Sequence, residues 1–320
     1  MFNIRSFLSS PFQPESYSVS EPNPPGEIKS IDYRSREFNQ PQPIHDESQL
    51  NRLAISQVYN HQCSLEQELA ALKQANIQTV GLYRPRLAEF CDQQNLGLLL
   101  QFQMQVSSIA WAGGFTGSHG YSHDEAIADS CDVVQLASAA GASCVLVATG
   151  ARYGHTRNHT NRLICDGLKQ VSDFAGERNI ELAVVPMVNS KAGRWTCLNS
   201  IDDAMQIILK CNRPNIGLGI DAGQLQNSEI LLGHAESVAP HTKLVRMQVV
   251  CDADSSELVS PSSSDEDSSL PLEEILNQYT QHGYDGFFEF QLNTTNQWSL
   301  KEYREMLSGC RELFAQSVLI

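Results

Sequence analysis

Two acidic side chains stand at or near the ends of apolar, strand-like runs in the second half of the sequence. Asp221 closes the run NIGLGID (215–221), and Glu289 lies in GYDGFFEFQL (283–292), two residues before Gln291. Side chains alternate along a strand, so Glu289 and Gln291 share one face while Phe288 and Phe290 take the other. Two convergent carboxylates are what general acid and base catalysis requires, which makes Asp221 and Glu289 the candidate catalytic residues.

A second interpretation of Glu289 is structural. Arg246 lies in the neighbouring run KLVRMQVV (243–250), and a buried glutamate is explained equally well by an ion pair with that arginine. The two interpretations stay open at the level of the sequence.

Aromatic and cationic residues occur in the stretches that follow other apolar runs. Trp111 lies in the glycine-rich segment SSIAWAGGFTGSHGYSH, the predicted loop after the third run, and could stack on the ring of a ligand or plug a cavity. Arg152 and His155 lie in GARYGHTRNH, where they could receive a phosphate or carboxylate group. The alternative for these charged residues is ordinary solvation on a surface loop.

The elements that must position these residues form a regular series. Eight apolar runs alternate with amphipathic helical patterns, which predicts a parallel eight-stranded (β/α)8 TIM barrel with its chemistry at the carboxyl ends of the strands. The predicted strands are 53–58, 77–83, 96–106, 143–149, 180–186, 215–221, 243–250 and 286–292.

Two segments depart from this rhythm. Residues 1–48 hold seven of the thirteen prolines and show no periodicity, so we expect a disordered or loosely packed arm before a barrel at 49–320. Residues 252–269 are acidic and serine-rich, and we expect an exposed loop insertion there.

Composition narrows the range of partners. The formal net charge of −15 disfavours nucleic acid, and no apolar run is long enough for a membrane span. The N-terminus lacks a secretory pattern and the nine cysteines form no Cys-x-x-Cys pair, so we expect a cytoplasmic protein with reduced thiols. Small molecules or proteins are the better candidates for a partner, and the oligomeric state is left open.

Several phrases together resemble the xylose isomerase-like sugar phosphate isomerases and epimerases. They include SLEQELAALKQANIQTVGLYRPRL, VVQLASAAGASCVLVATG, NIGLGIDAGQL and GYDGFFEFQL, and the resemblance spans about residues 52–316. It implies a TIM barrel with a divalent metal at its mouth, held by Glu, Asp, His and Glu at the ends of strands five to eight. It also implies a small-molecule carbohydrate as partner and proton transfer next to a sugar carbonyl, with the two glutamates as acid and base.

This chain departs from the family pattern at most of those positions. Asp221 is retained, but Val185 replaces the first glutamate and Gln291 the second, and the histidine maps to Gln248 or Val249. A family histidine after the aspartate is replaced by Gln224. One carboxylate with amides is a poor donor set for a hard cation, so we expect the ancestral Mn, Mg, Co or Zn site to be lost.

We therefore expect side-chain amides to line much of the barrel interior. We expect Gln101, Gln103 and Gln105 of the third run to point inward, with Gln224, Gln248 and Gln291 nearer the rim. Such a set could bind the hydroxyls of a sugar or satisfy itself in an empty barrel. The resulting hypotheses are a divergent sugar phosphate isomerase or epimerase, and a non-catalytic sugar- or polyol-binding pseudoenzyme.

Overall fold

The structure is a computed structural model that describes most of the chain from residue 47 onward. The described residues are 47–57, 63–88, 92–188, 192–225, 228–251, 258–259, 272–293 and 299–318. The predicted arm at 1–48 lies outside them except for its last two residues, which begin a 3-10 helix at Glu47–Arg52.

Parallel strands form a closed barrel, as the alternating pattern predicted. The strands β1 to β7 pair in sequence order, β7 pairs with β9, and β9 pairs with β1, so eight parallel strands close the barrel. The short strand β8 is not one of these eight. The described strands are β1 (Leu53–Ser56), β2 (Thr79–Tyr83), β3 (Gln105–Gly113), β4 (Ala142–Ala148), β5 (Glu181–Val184), β6 (Ile216–Asp221), β7 (Thr242–Cys251), β8 (Leu258–Val259) and β9 (Phe288–Asn293).

Helices connect successive strands of the barrel. Two further 3-10 turns lie at Ala192–Arg194 and Ala239–His241. The described α-helices are α1 (Leu65–Gln74), α2 (Arg84–Ala88), α3 (Asp92–Gln101), α4 (His123–Ala140), α5 (Arg157–Gly176), α6 (Ile201–Cys211), α7 (Ala222–Leu225), α8 (Ser228–Val238), α9 (Leu272–Gln281) and α10 (Leu300–Val318).

Local sequence signals account for where several of these helices begin. Ser64 and Gln67 form a complete capping box before α1, and the Ser-x-x-Gln spacing of SLEQ at 64–67 is the sequence signature of such a cap. Ser122 and Glu125 form a second one before α4, and the side chain of Ser200 caps α6. Each cap satisfies backbone N–H groups that the first helical turn leaves without a partner.

The third strand is not where the sequence pattern placed it. Residues 96–101 belong to helix α3, and β3 begins only at Gln105. A short apolar run fits a helix as well as a strand, and here Leu99 is buried while Leu100 is 80% exposed. Gln101, Gln103 and Gln105 are all exposed, so the prediction that they line the barrel is wrong.

The last strand, by contrast, follows its predicted alternation. Phe288 and Phe290 are fully buried and contact Phe314 of α10, with ring centroids 6.0 and 5.8 Å away. Glu289 and Gln291 therefore point into the barrel. The outward aromatic pair fixes this strand against its helix and leaves both polar side chains inside.

Most of the predicted acidic insertion, residues 252–269, lies outside the described residues. Leu258 and Val259 are described, and they pair antiparallel with Cys251 and Val250 at the end of β7. No helix in the part of the chain that the structure describes is long and apolar enough to cross a membrane. The seven cysteines whose side chains are described are free thiols.

Candidate functional site

An ion pair occupies the middle of the barrel interior. Arg246 of β7 donates from Nε and Nη2 to Oε1 of Glu289 on β9, at 2.9 and 2.5 Å. The hydroxyls of Ser107 and Ser108 on β3 each donate to Oε2 of Glu289 at 2.7 Å. Both oxygens of this carboxylate are thus engaged by protein donors.

The barrel is built to accommodate this carboxylate. Gly81 of β2 faces it, and a Cβ at that position would lie 2.3 Å from the carboxyl carbon of Glu289. The side chains of Arg246 and Glu289 are 5% and 0% exposed, respectively. A charge this deeply buried needs a partner, and the guanidinium supplies it.

Burial by itself would raise the pKa of Glu289. The nearby charge of Arg246 and the hydrogen bonds from the two serines outweigh burial and hold this pKa below its ordinary value. Glu289 is therefore an ionised, fully hydrogen-bonded group at neutral pH. The structural interpretation of Glu289, pairing with Arg246, is the arrangement that the structure contains.

Asp221 ends β6 at the upper edge of the interior, where it lies beside Arg246 in the strand register. It is 3% exposed, and its Oδ1 accepts a hydrogen bond from the backbone N–H of Gln224 at 3.3 Å. Burial raises the pKa of Asp221. The charge of Arg246 lowers this pKa and the charge of Glu289 raises it, and the net result is a pKa above the ordinary value. Asp221 is thus a carboxyl group that ionises less readily than a free aspartate.

Two side-chain amides lie side by side at the barrel mouth. Gln248 of β7 and Gln291 of β9 are register partners, and both are half-buried. Neither side chain makes a hydrogen bond to any residue that the structure describes. Gly223 lies directly against Gln248, since a Cβ there would be 2.4 Å from its amide carbon.

The structure settles which residue of β7 points to the mouth. Leu244 packs in the interior cluster and Arg246 pairs with Glu289, so alternation places Gln248 inside. Val249, fully buried, takes the opposite face toward the helices. Of the two candidates for the histidine position of the family pattern, Gln248 is the one that faces the interior.

Apolar and aromatic side chains complete the upper interior. Val185 directly follows β5 and packs in one cluster with Ala110, Leu146 and Met187. Trp111, at the end of β3, is half-buried against this cluster, and the guanidinium carbon of Arg246 lies 5.5 Å from its ring centroid. The sequence had assigned Trp111 to a loop, whereas it belongs to a barrel strand.

The donor set at the metal positions of the family pattern does not fit a divalent cation. Val185 offers no donor atom, Gln248 and Gln291 offer neutral amide oxygens, and Asp221 is the one carboxylate of the four. Among the described residues, no group of three or more His, Cys, Asp or Glu side chains is arranged to hold a metal ion. No chemical step is therefore derived through a metal.

The cationic loop residues lie apart from these groups. Nε of Arg152 donates to the backbone oxygen of His155 at 2.7 Å, and Nε2 of His155 lies 3.2 Å from the backbone oxygen of Thr116. The imidazole of His155 also packs edge to face on His159 at 4.8 Å. Arg152 lines a pocket between α5 and α6 that none of the mouth residues named above lines.

Gln224 of α7 sits just beyond Asp221. Its backbone N–H donates to Asp221 and its backbone oxygen accepts from the N–H of Val188 at 3.2 Å. Its half-exposed side chain makes no hydrogen bond within the described ranges. The structure therefore places Gln224 next to the mouth, with no described residue hydrogen-bonded to its side-chain amide.

The sequence pattern offered Arg246 as one possible partner of Glu289 but missed the roles of Ser107, Ser108 and Gly81. An arginine inside an apolar strand run was the available signal, because a buried guanidinium requires a carboxylate nearby. The serines gave no such signal, since their segment was taken for a loop.

The chain folds as a closed barrel with polar groups at the carboxyl ends of its strands, and sequence comparison identifies its family. A family model described as xylose isomerase-like TIM barrel matches residues 69–313. The chain belongs to this family, as its phrases indicated. A comparison with curated proteins found no significant match.

The present chain aligns with nearly the whole length of several solved structures of this fold. A protein from Sinorhizobium meliloti 1021 has a TM-score of 0.68 at 17% identity, over 83% of this chain and 98% of that one. D-psicose 3-epimerase from Clostridium cellulolyticum H10 has a TM-score of 0.63 at 10% identity, over 83% and 99%. For 3-keto-D-glucoside 4-epimerase from E. coli, the TM-score is 0.64 at 10% identity, over 82% and 99%. At these identities the likeness establishes the fold.

Proposed function

We propose that this protein binds a neutral sugar or polyol at the barrel mouth, without a divalent metal and without a proton-transfer cycle. The observation that carries the proposal is the pair of half-buried amides, Gln248 and Gln291, which have no hydrogen-bond partner within the described residues. An amide offers both donors and an acceptor, which suits vicinal hydroxyl groups. Trp111, which packs against the upper interior cluster and lies 5.5 Å from the guanidinium of Arg246, offers an aromatic face for the apolar side of a sugar ring.

The state of the acidic residues supports binding rather than catalysis. A general base must be able to take up a proton from the substrate, whereas Glu289 already accepts four hydrogen bonds from Arg246, Ser107 and Ser108. Asp221 is then the remaining carboxylate of the predicted catalytic pair. The two sugar epimerases among the structural neighbours, one of them solved with D-tagatose, support a carbohydrate as the ligand.

Titration calorimetry with neutral sugars tests the proposal. Purified protein, treated with EDTA, is titrated with D-fructose, D-tagatose and myo-inositol. We expect saturable binding of at least one of them. Gln248→Ala and Gln291→Ala should each weaken it roughly 2- to 10-fold, the range of a lost neutral hydrogen bond.

Gln101→Ala is the matched control, because this exposed glutamine at the end of α3 is chemically identical and away from the mouth. It should leave affinity unchanged. Elemental analysis completes the test: one equivalent of Mn, Mg, Co or Zn per chain, with sugar binding that EDTA abolishes, would overturn the metal-free proposal.

A metal-free isomerase or epimerase is the second candidate. It is favoured by Asp221, because burial raises the pKa of this carboxyl toward the range of a useful general base. Arg246 beside it could stabilise negative charge on a reacting oxygen. Under this hypothesis Asp221→Asn abolishes turnover of a sugar that the variant still binds, whereas the binding proposal predicts no turnover in either protein.

A further inference from the structure

A second pocket lies outside the barrel mouth, between the N-terminal halves of α5 and α6. Its volume is about 350 Å³, at the lower end of the size range of small-molecule sites. The segment 193–199 covers one side, and Arg152 reaches it from the loop after β4. The polar side chains that line it include Arg152, Arg157, Asn161, Asn199, Asp203 and Gln206.

The charged side chains that line this pocket leave a net positive charge. Arg157 and Asp203 form an ion pair with an N to O distance of 3.0 Å, so they neutralise each other. Arg152 has no carboxylate partner in the part of the chain that the structure describes. One positive charge therefore remains in a pocket of a chain whose net charge is −15.

The guanidinium of Arg152 is also oriented. Its Nε donates to the backbone oxygen of His155 at 2.7 Å, and His155 is itself held through Thr116 and His159. The two terminal nitrogens of Arg152 make no hydrogen bond to a described residue. A guanidinium anchored at Nε presents this pair as a fork, the geometry that binds two oxygens of a phosphate or carboxylate.

Amides supply the second half of the recognition. The side chains of Asn161, Asn199 and Gln206 make no hydrogen bond to any other described residue. Three donor and acceptor groups around one cation suit a molecule that carries hydroxyls as well as an anionic group. The apolar floor from Leu198 and Ile207, each 3% exposed, gives such a ligand a surface to pack on.

We infer that this pocket binds the phosphate or carboxylate group of a small hydroxylated metabolite, with Arg152 as its principal ligand. The site is distinct from the barrel mouth in both residues and charge. The mouth offers neutral amides to a neutral sugar, and the side pocket offers a cation to an oxyanion. The inference does not depend on the proposed function, and either can fail alone.

Tryptophan fluorescence can report on each site separately, because a different tryptophan lies near each one. Trp195 adjoins Thr196 of the side pocket and Trp111 lies at the mouth. The full chain is titrated with glucose 6-phosphate, gluconate, inorganic phosphate and glucose. We expect saturable responses to one or more of the three anions that Trp195→Phe removes and Trp111→Phe leaves in place.

Binding affinities of variants give the decisive result. Arg152→Ala should weaken the best anion tenfold or more, as expected for a lost charge-assisted pair of hydrogen bonds, and Arg152→Lys should recover part of it. Arg304→Ala, an exposed arginine on α10, is the matched control and should change nothing. Gln291→Ala should also leave anion affinity unchanged.

Three outcomes would overturn the inference. The first is no saturable binding of any of the three anions. The second is anion affinity that Arg152→Ala leaves within twofold of wild type. The third is anion binding that Gln291→Ala abolishes, which would place the oxyanion at the mouth instead. Thermal unfolding of every variant in buffer alone separates loss of binding from loss of fold.

Discussion

Replacing Glu289 by Gln tests the buried ion pair directly. The side chain keeps its shape, but the carboxylate that accepts from Arg246, Ser107 and Ser108 becomes an amide with a single acceptor oxygen. Either the guanidinium or the serine hydroxyls then face an NH2 group. The guanidinium of Arg246, 5% exposed, is left as an uncompensated buried charge.

The expected cost is about 3–5 kcal/mol of unfolding free energy, the range for removing one partner of a buried ion pair. In a barrel of this length, with an unfolding entropy of about 2.1 cal/mol/K per residue, that corresponds to a fall in Tm of roughly 5–9 °C. Equilibrium unfolding in urea, followed by far-ultraviolet circular dichroism, measures it. The double replacement Arg246→Met with Glu289→Leu should recover most of the loss, because it removes both charges and leaves neither unpaired.

A surface pair provides the matched control. Lys301 and Glu305 on α10 lie 3.7 Å apart and are 87% and 65% exposed. Glu305→Gln makes the same chemical change and should cost no more than about 0.5 kcal/mol. If the unfolding free energy of Glu289→Gln lies within about 1 kcal/mol of the wild-type value, the reasoning that this pair holds the barrel interior together is wrong.

Acid adds an independent check on the same residue. The pKa of Glu289 is lower in the folded state than in the unfolded chain, so its contribution to stability is present above the unfolded pKa and lost as pH falls through the folded one. Wild type should therefore lose stability more steeply below about pH 4.5, the ordinary pKa of glutamate, than Glu289→Gln does.

Three further predictions concern the mouth. Asp221→Asn should raise the urea midpoint at pH 7 and flatten its pH dependence. The raised pKa of Asp221 stabilises the fold below the unfolded pKa, and this contribution is lost as pH rises through the folded pKa. A lower midpoint at pH 7 would contradict this. Gly223→Ala should displace the amide of Gln248 and weaken sugar affinity several-fold with little change in Tm, and unchanged affinity by calorimetry would show that this amide does not bind the ligand. Val185→Glu combined with Gln291→Glu should create an EDTA-sensitive Mn2+ site measurable by calorimetry, since three carboxylates with Asp221 make a donor set that hard cations accept; absence of Mn2+ binding in a folded variant would show that these positions do not converge.

Much of the fold was readable from local patterns. The alternation of GFFEFQL placed Phe288 and Phe290 outside and Glu289 inside, and the capping box of Ser64 placed the start of α1. Such patterns depend on neighbours a few residues apart, so the chain sequence carries them explicitly. The family followed from several phrases together, and the family model spans the same barrel.

The third strand shows where local patterns fail. The run at 96–101 is apolar and short, and its side chains suit a helix that buries Leu99 as well as a strand. The pairing of β3 with β2 and β4 decided the matter by taking residues 105–113 into the sheet instead. That single shift moved Trp111 and both serines from a predicted loop to the barrel wall.

What the sequence determined by itself is a barrel of the xylose isomerase-like family whose mouth carries amides in place of most metal-binding residues. What only the tertiary structure decided is which of these groups are already satisfied. Glu289 could be a catalytic base or half of an ion pair until β7 and β9 were set side by side, with Arg246 opposite it. Barrel closure sets this register between residues far apart in the chain, and no local pattern encodes which buried donors a carboxylate meets.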